Sequence, residues 1–440
     1  MRKTTFTVAL CLSLIPAAAF AQTRISSLST LFEDIFGPNG LVVSSDDVQL
    51  DGTNHAAHFN SSFQSDFRLM DIALTSQLTA VPVPSPASGF TYKFDPATGT
   101  FVRSTRSFGP ILTERGETIG RGRIAFGTNL QYFSFDQLDG VSLASVPAVF
   151  RHDAYRTTAG RSDVIATENA ITANVTQFTG ALTYGVTDRI DVSMAVPLVQ
   201  TSVTLVSNAT IERVGTGTDL GVHYFLDPNA LGGHGTTHQF SASGQATGIG
   251  DIVLRTKGTV FREGARSLAA GLDVRLPSGD ERNLLGSGAV GVRPFAAFSA
   301  NLGAASPRLN VAYQWNGDSL LAGDVREGVK GDMPDQLFLS AGSDLSVNPH
   351  LSLVFDFIGQ RFLKSPRLRT FPFTAVGPLG TVDLTDLRFD TDSFWTSSGS
   401  AGFKANVAPR LLVNFNLHFA LSHAGLTDRV TPLLGMEWSF

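Results

Sequence analysis

Only one of the 440 residues is a cysteine, Cys11, so the chain can build neither a disulfide framework nor a thiolate metal site. Charge is scarce as well. Asp, Glu, Lys and Arg make up 16% of the chain, against the quarter usual for globular domains. The 33 basic residues nearly balance the 38 acidic ones. Without Arg2 and Lys3 the count is 31 against 38, a net charge near −7. That leaves no basic excess, so nucleic acid is not an expected partner. After Phe20 no run approaches the ~18 apolar residues of a membrane-spanning helix, which excludes a helix bundle. There is no Gly-x-Ser-x-Gly nucleophile elbow. Gly215-Thr216-Gly217 and Gly286-Ser287-Gly288 lack the lysine and the strand-to-helix setting of a phosphate loop. An enzyme is therefore not expected, and neither is a cofactor.

What the chain has in abundance is phenylalanine (33) and glycine (43), arranged in alternation. The charged pair Arg2-Lys3, the apolar run Val8–Phe20 and the small-x-small Ala19-Phe20-Ala21 predict a secretory leader over residues 1–21. From about Arg121 onward, apolar residues recur at every second position, the period of a strand with one oily face. Leu411, Val413, Phe415, Leu417, Phe419 and Leu421 form such a face, with Asn414, Asn416 and His418 opposite. Similar stretches are predicted at 121–135, 164–186, 190–206, 251–261, 267–276, 289–302, 308–315, 336–347, 351–361, 394–407 and 430–440. Each has about the ten residues that a tilted strand needs to cross a bilayer.

Short turns alternate with long connections (136–163, 207–248, 277–288, 316–335, 362–393 and 422–429). That asymmetry, with an even strand number, predicts an all-β transmembrane antiparallel barrel of about 12 strands over residues 121–440, with 14 as the alternative. Closure also answers the demand that no sheet edge be left unpaired in lipid. Residues 22–120 stand apart, as a plug-like or periplasmic segment. Within it, 28–36 and 67–81 read as short helices, although Met70, Ile72 and Leu74 of the second also alternate as in a strand; Pro82, Pro84 and Pro86 end it in either case. A hairpin is expected around the Asp95–Gly99 turn. As two added strands the segment would raise the count to fourteen.

The last residues, Leu434, Met436 and Trp438 alternating with Gly435, Glu437 and Ser439 and ending on Phe440, resemble the closing strand of bacterial outer-membrane barrels. The resemblance implies that Trp438 and Phe440 form the signal read by the barrel-assembly machinery. Three further pieces, Tyr184–Asp191, Gly248–Asp251 and Leu276–Asp280, resemble outer-membrane proteins associated with the meta-pathway of phenol degradation. The regions 89–94 and 107–122 are similar to members of the same group. Ser278 stands where threonine is common in it. Membership would imply an outer-membrane barrel taking up hydrophobic or aromatic compounds, with kinship to long-chain fatty-acid transport porins whose amino-terminal segment plugs the barrel.

Parity on the predicted strands selects the candidate lumen residues. Arg255 is expected opposite Asp273, with Phe261 opposite Ser267 across a five-residue turn at 262–266. Lys257, Arg275, Arg293, Asp251 and Asp191 share that inward side, and Asn416 and His418 face inward on the Leu411 strand. Such charges would set the field felt by a solute, or would neutralise one another and fill a narrow barrel. His223, His234 and His238 share one loop, and His55 and His58 stand three apart; none has a ligand pattern that selects a metal. The expectation is a passive bacterial outer-membrane channel for small hydrophobic compounds. Its partners would be outer-membrane lipid, the assembly machinery and the solute. A polar-solute porin and a structural or adhesion barrel remain open alternatives.

Overall fold

The computed structural model describes residues 27–37, 39–46, 58–66, 69–80, 92–95, 100–103, 108–152, 155, 159–217, 219–408 and 410–439. The leader at 1–21, His55, the prolines at 82–86 and Phe440 lie outside the described residues. Twelve strands form the wall: β1 (Ile124–Phe135), β2 (Val164–Gly185), β3 (Ile190–Glu212), β4 (Ile252–Glu263), β5 (Arg266–Leu276), β6 (Gly291–Ala300), β7 (Ala305–Asn316), β8 (Gln336–Asn348), β9 (Leu351–Gly377), β10 (Gly380–Ala408), β11 (Leu411–Ala420) and β12 (Val430–Ser439). Each pairs antiparallel with the next, and β12 returns to β1 with Trp438 opposite Phe126 and Met436 opposite Thr128. The ring is closed at twelve. Among the described residues the hairpin Tyr92–Asp95/Thr100–Arg103 pairs only with itself.

Besides short strands inside the expected connections, among them Val146–His152 paired with β2, three features differ from the sequence expectations. Residues 362–393, expected as a loop, continue the β9–β10 ladder to Gly377 opposite Gly380. A bulge between Phe362 and Ser365 breaks the alternation, and Pro366 and Pro372 read as loop residues. They are tolerated because β9 pairs with β8 only as far as Phe362, leaving the edge beyond without a ladder to donate to. Next, the 207–248 connection contains a strand, Thr237–Ile249, paired along the far half of β3. Lastly, the β4–β5 turn is the two residues Gly264 and Ala265, so Phe261 meets Leu268 instead of Ser267. A bulge between Thr259 and Phe261 restores the expected pairing of Arg255 with Asp273.

The side chains of β2 and β3 reverse their polarity part way along. On β3 the outward positions Ile190, Val192, Met194, Val196 and Leu198 are apolar, whereas Gln200, Ser202, Thr204 and Asn208 on the same face are polar. The inward face does the opposite. Asp191 and Ser193 give way to Val199, Val203, Leu205 and Ile211, all buried except Ser193. Leu198 pairs with Phe178, which pairs with Leu130, so the reversal falls at one level on β2 and β3 and two residues further along on β1, where Tyr132 still faces outward. On the short-turn side of that level the wall is built for lipid, oily outside and polar within. On the long-loop side it is built like a water-soluble sandwich, with an apolar interior. There Leu31, Phe32 and Ile35, from α1 (Leu31–Asp34) and the turn after it, join Phe63 of α2 (Ser62–Asp66). Met70 and Leu74 of α3 (Leu69–Ala80) complete a core with Phe133, Val175 and Val203 of the wall.

This boundary makes a paired prediction. Leu182→Arg, on the lipid side, should cost about 2–4 kcal/mol of folding stability in a bilayer. Thr172→Arg, ten positions away on the same face but past the boundary, should stay within about 0.5 kcal/mol. Denaturant titration of the refolded protein in lipid vesicles compares the two.

Candidate functional site

Residues 108–120 run inside the short-turn half of the barrel, almost all buried, touching strands on opposite sides of the ring. The Phe108 amide donates to Ser352 Oγ on β9, and its ring packs on Leu412 of β11. Leu112 N–H and Thr113 Oγ1 both donate to the Asp356 carboxylate, at 3.3 and 2.8 Å. The Glu114 amide donates to Asn310 Oδ1, and Asn310 Nδ2 returns a bond to the Glu114 carbonyl, both at 2.8 Å. The Ile119 amide donates to Asp191 Oδ2 at 3.0 Å. Such a strap has no regular ladder of its own, so inward polar side chains of the wall must satisfy its backbone. Gly116 marks the tightest approach: a Cβ there would stand 2.7 Å from the Ser267 carbonyl oxygen.

Glu114 is the electrostatic centre. Its Oε2 accepts from Arg255 Nη1 at 2.6 Å and its Oε1 from Lys257 Nζ at 2.8 Å. Lys257 also donates to the Glu117 carbonyl at 2.8 Å. Arg255 grips Asp273 with Nε and Nη2 (2.7 and 2.9 Å), and Arg293 holds Asp273 Oδ2 from β6 at 2.7 Å. Five of the nine lumen candidates, Asp191, Arg255, Lys257, Asp273 and Arg293, therefore converge on this strap. Pairing of this kind offsets the desolvation of each ion, and removing one member would leave another charge buried and uncompensated.

Asp251 and Arg275 belong elsewhere. Asp251 Oδ2 accepts from the Ser287 amide (2.7 Å) and hydroxyl (2.5 Å), and Oδ1 from the Gly279 amide (3.1 Å). Arg275 Nε lies 3.5 Å from Asp251, and Arg275 Nη2 donates to Asn316. Asp251 sits where the wall ladder is interrupted. Val196 and Pro197 of β3 stand opposite three residues, Gly250, Asp251 and Ile252. Gly250 is squeezed there, since a Cβ would lie 2.9 Å from Val199 and 3.0 Å from the Leu285 carbonyl. The pieces Gly248–Asp251 and Leu276–Asp280, far apart in sequence, thus meet at one junction.

Asn416 is fully buried, and His418 lines a small cavity with Gln131, Gln360 and Asp428; neither touches the strap lattice. Trp438 lies on the outer wall. Near the long loops, His223 Nδ1 meets Asp163 at 2.8 Å, His234 meets Asp46 at 2.9 Å, and His238 packs edge-to-face against Phe240. Among the described residues, no group of three or more His, Cys, Asp or Glu is placed to hold a metal. Glu114, Asn310, Asp356 and the pairs Arg308–Asp344 and Lys404–Glu437 are missing from the sequence-based selection. Inward parity on the predicted strands would have found all but Glu114, which lies before the first of them.

Two perturbations probe this framework. Asp251→Ala should cost about 3–5 kcal/mol, because Arg275 would lose its buried carboxylate; thermal unfolding of the detergent-solubilised protein reads it. Asp71 of α3 is buried with neither oxygen hydrogen-bonded to a described residue. Burial foremost, and then nearby Glu33, hold its carboxyl well above the ordinary 3.8. A raised value means the folded state keeps the proton. The stability tied to it is complete below the unfolded value and is lost as pH rises through the folded one. Asp71→Asn should therefore flatten the pH profile of stability and raise stability at neutral pH, as read by melting temperature across pH.

Over residues 152–329, less than half of the chain, the sequence matches the family described as "Putative MetA-pathway of phenol degradation". That range contains Tyr184–Asp191, Gly248–Asp251 and Leu276–Asp280, the pieces that carry the resemblance. No curated protein matches. Among solved structures, an outer membrane channel from Pseudomonas putida F1 is 15% identical, with 74% of this chain and 98% of that one covered at a TM-score of 0.43. A Pseudomonas aeruginosa FadL homologue is 10% identical, covering 72% and 89% at 0.30. The Ralstonia pickettii toluene transporter TbuX is 16% identical, covering 74% and 92% at 0.28. These scores are low, and the barrel assignment stands on the closed strand ladder itself.

Proposed function

We propose that this barrel sits in a bacterial outer membrane and passes small hydrophobic or aromatic molecules passively, with the segment that precedes the wall acting as a plug. The observation that carries this reading is the apolar interior of the long-loop half, where α1, α2 and α3 pack against the inward faces of β2 and β3. A polar-solute porin needs a wetted lumen, whereas an interior of leucine, phenylalanine and valine favours oily solutes over ions. The family match, which bears the name of phenol degradation, agrees with a small aromatic substrate.

The two halves then divide the work. The long-loop half takes up the solute and the strap at 108–120 bars the short-turn half. Glu114 is the pin, because Arg255 and Lys257 hold it from one strand. The interrupted ladder beside Gly250 offers a second way out, sideways between strands, closed by the contacts of Asp251. The reading is of a conduit and assigns no catalytic residue.

Glu114→Lys sets a third cation beside Arg255 and Lys257 and should drive the strap from its seat. In a planar bilayer the unaltered protein should show little or no current, and the variant bursts of large current. A steady large current through the unaltered protein would instead mean an open polar pore and sink the proposal.

A further inference from the structure

At the long-loop end lies a cavity of about 690 Å³ that belongs neither to the strap lattice nor to the Asp251 junction. One wall is β10 at Asp386–Arg388 with Phe371 of β9; another is the strand Val146–His152, through Val149 and Arg151. The segment around α2 and the end of α1, with Arg326 from the long loop between β7 and β8, complete it. Three guanidinium groups, from Arg151, Arg326 and Arg388, thus line one space.

Each arginine has a carboxylate partner, so formal charge alone does not decide what the cavity binds. Exposure does. The Arg151, Arg326 and Arg388 side chains are 39%, 43% and 62% exposed, whereas their partners Asp386 and Glu33 are 4% and 26% exposed. Asp386, though part of the lining, is almost wholly buried and occupied: it accepts from the Val149 and Leu387 amides at 3.0 and 2.8 Å as well as from Arg151. Glu33 and Asp34 together hold Arg326. The partners therefore act as braces that fix the direction of the cations, and in every pair the arginine is more exposed than the carboxylate that holds it, Asp34 at 19% and Asp390 at 44% included. Arg388 is the least committed, with Asp390 at 3.3 Å as its carboxylate partner among the described residues, itself 44% exposed. A fork of N–H donors with spare capacity is suited to a carboxylate.

The rest of the lining is oily. The Phe371 ring lies under the Arg388 guanidinium at 5.8 Å, Phe373 lies under Arg151 at 4.4 Å, and Val149 and Leu387 are buried beside them. Cations over aromatic faces next to aliphatic side chains make a surface of two characters. We infer that this cavity is a binding site for a small amphipathic organic anion, a carboxylate on a compact apolar body. Arg388 and Arg326 grip the charge and Phe371 covers the body, with the buried Val149 and Leu387 behind the lining. The inference rests on the transport reading only in taking the cavity as the first station of a solute; the binding itself needs no passage.

The test is calorimetric titration of the full protein in detergent with benzoate, with benzyl alcohol as its uncharged counterpart, and with inorganic phosphate. Benzoate should bind saturably and the other two far more weakly. Arg388→Gln should weaken benzoate about tenfold, as expected for loss of one charge-assisted contact. Arg388→Lys should recover part of the loss, and Phe371→Ala should weaken benzoate while leaving phosphate unchanged. Arg388 is exposed, so its variants should keep the folded barrel, checked by the heat-dependent gel mobility of the barrel. Absence of benzoate binding overturns the inference. Equal binding of phosphate reduces the site to a bare anion hole, and equal binding of benzyl alcohol to an apolar one; either result overturns it too. So does an Arg388→Gln variant with unchanged affinity. None of these outcomes bears on the conductance experiment, which judges passage independently.

Discussion

Everything in this molecule follows from one demand: a backbone placed in hydrocarbon must satisfy its own hydrogen bonds. A sheet can do so only by returning to its first strand, and the meeting of β12 with β1 accomplishes this. Once the ladder closes, inside and outside are distinct everywhere, and the period of two hands alternate residues to lipid and to lumen. The inward charges could not be tolerated without that enclosure. Arg255, Lys257 and Asp273 stand on a wall whose other face is Leu254 and Leu272.

Enclosure brings its own difficulty, for inward ions lose water and need partners. The strap at 108–120 supplies some of them, through Glu114 and through the carbonyls that Lys257 and Asn310 reach. The wall in turn supplies partners for a strap that has no secondary structure. Neither is satisfied alone. This mutual dependence couples the amino-terminal segment to the barrel more firmly than apolar packing would. An unmade buried bond to a charge costs more than a lost methylene contact.

The twelve-strand barrel was legible because a lipid-facing strand leaves a strong imprint, as in Leu411–Leu421 and Ile190–Leu198. What stayed hidden lies beyond the membrane. Residues 362–393 and 237–249 are strands whose outward side chains are polar, and they lack the oily alternation by which the others were found. The parity argument placed Arg255 opposite Asp273 in spite of a misjudged turn, because the bulge after Thr259 offsets the missing turn residues. The lattice around Glu114 was not legible. The arrangement depends on which wall residues a non-repetitive segment passes, and periodicity carries no information about that. Parity puts Asp251 on the inward side, whereas its partners Ser287 and Gly279 lie in a loop where no rule of spacing predicts contact.

The reversal of polarity along β2 also fixes a length. Eight residue steps separate Phe178 of β2 from Val186, the exposed apolar residue just past its end. At a rise of about 3.3 Å and a tilt of about 40°, they cover roughly 20 Å of membrane normal. An ordinary hydrocarbon core is about 30 Å thick, so the oily belt is shorter than the bilayer it would meet there. The surrounding lipid would have to compress, at a fraction of a kcal/mol for each ångström of mismatch. A thin membrane removes that strain. The same side chains that decide which face meets lipid therefore also set which bilayer the protein prefers, and its stability becomes a property of the protein and its lipid together.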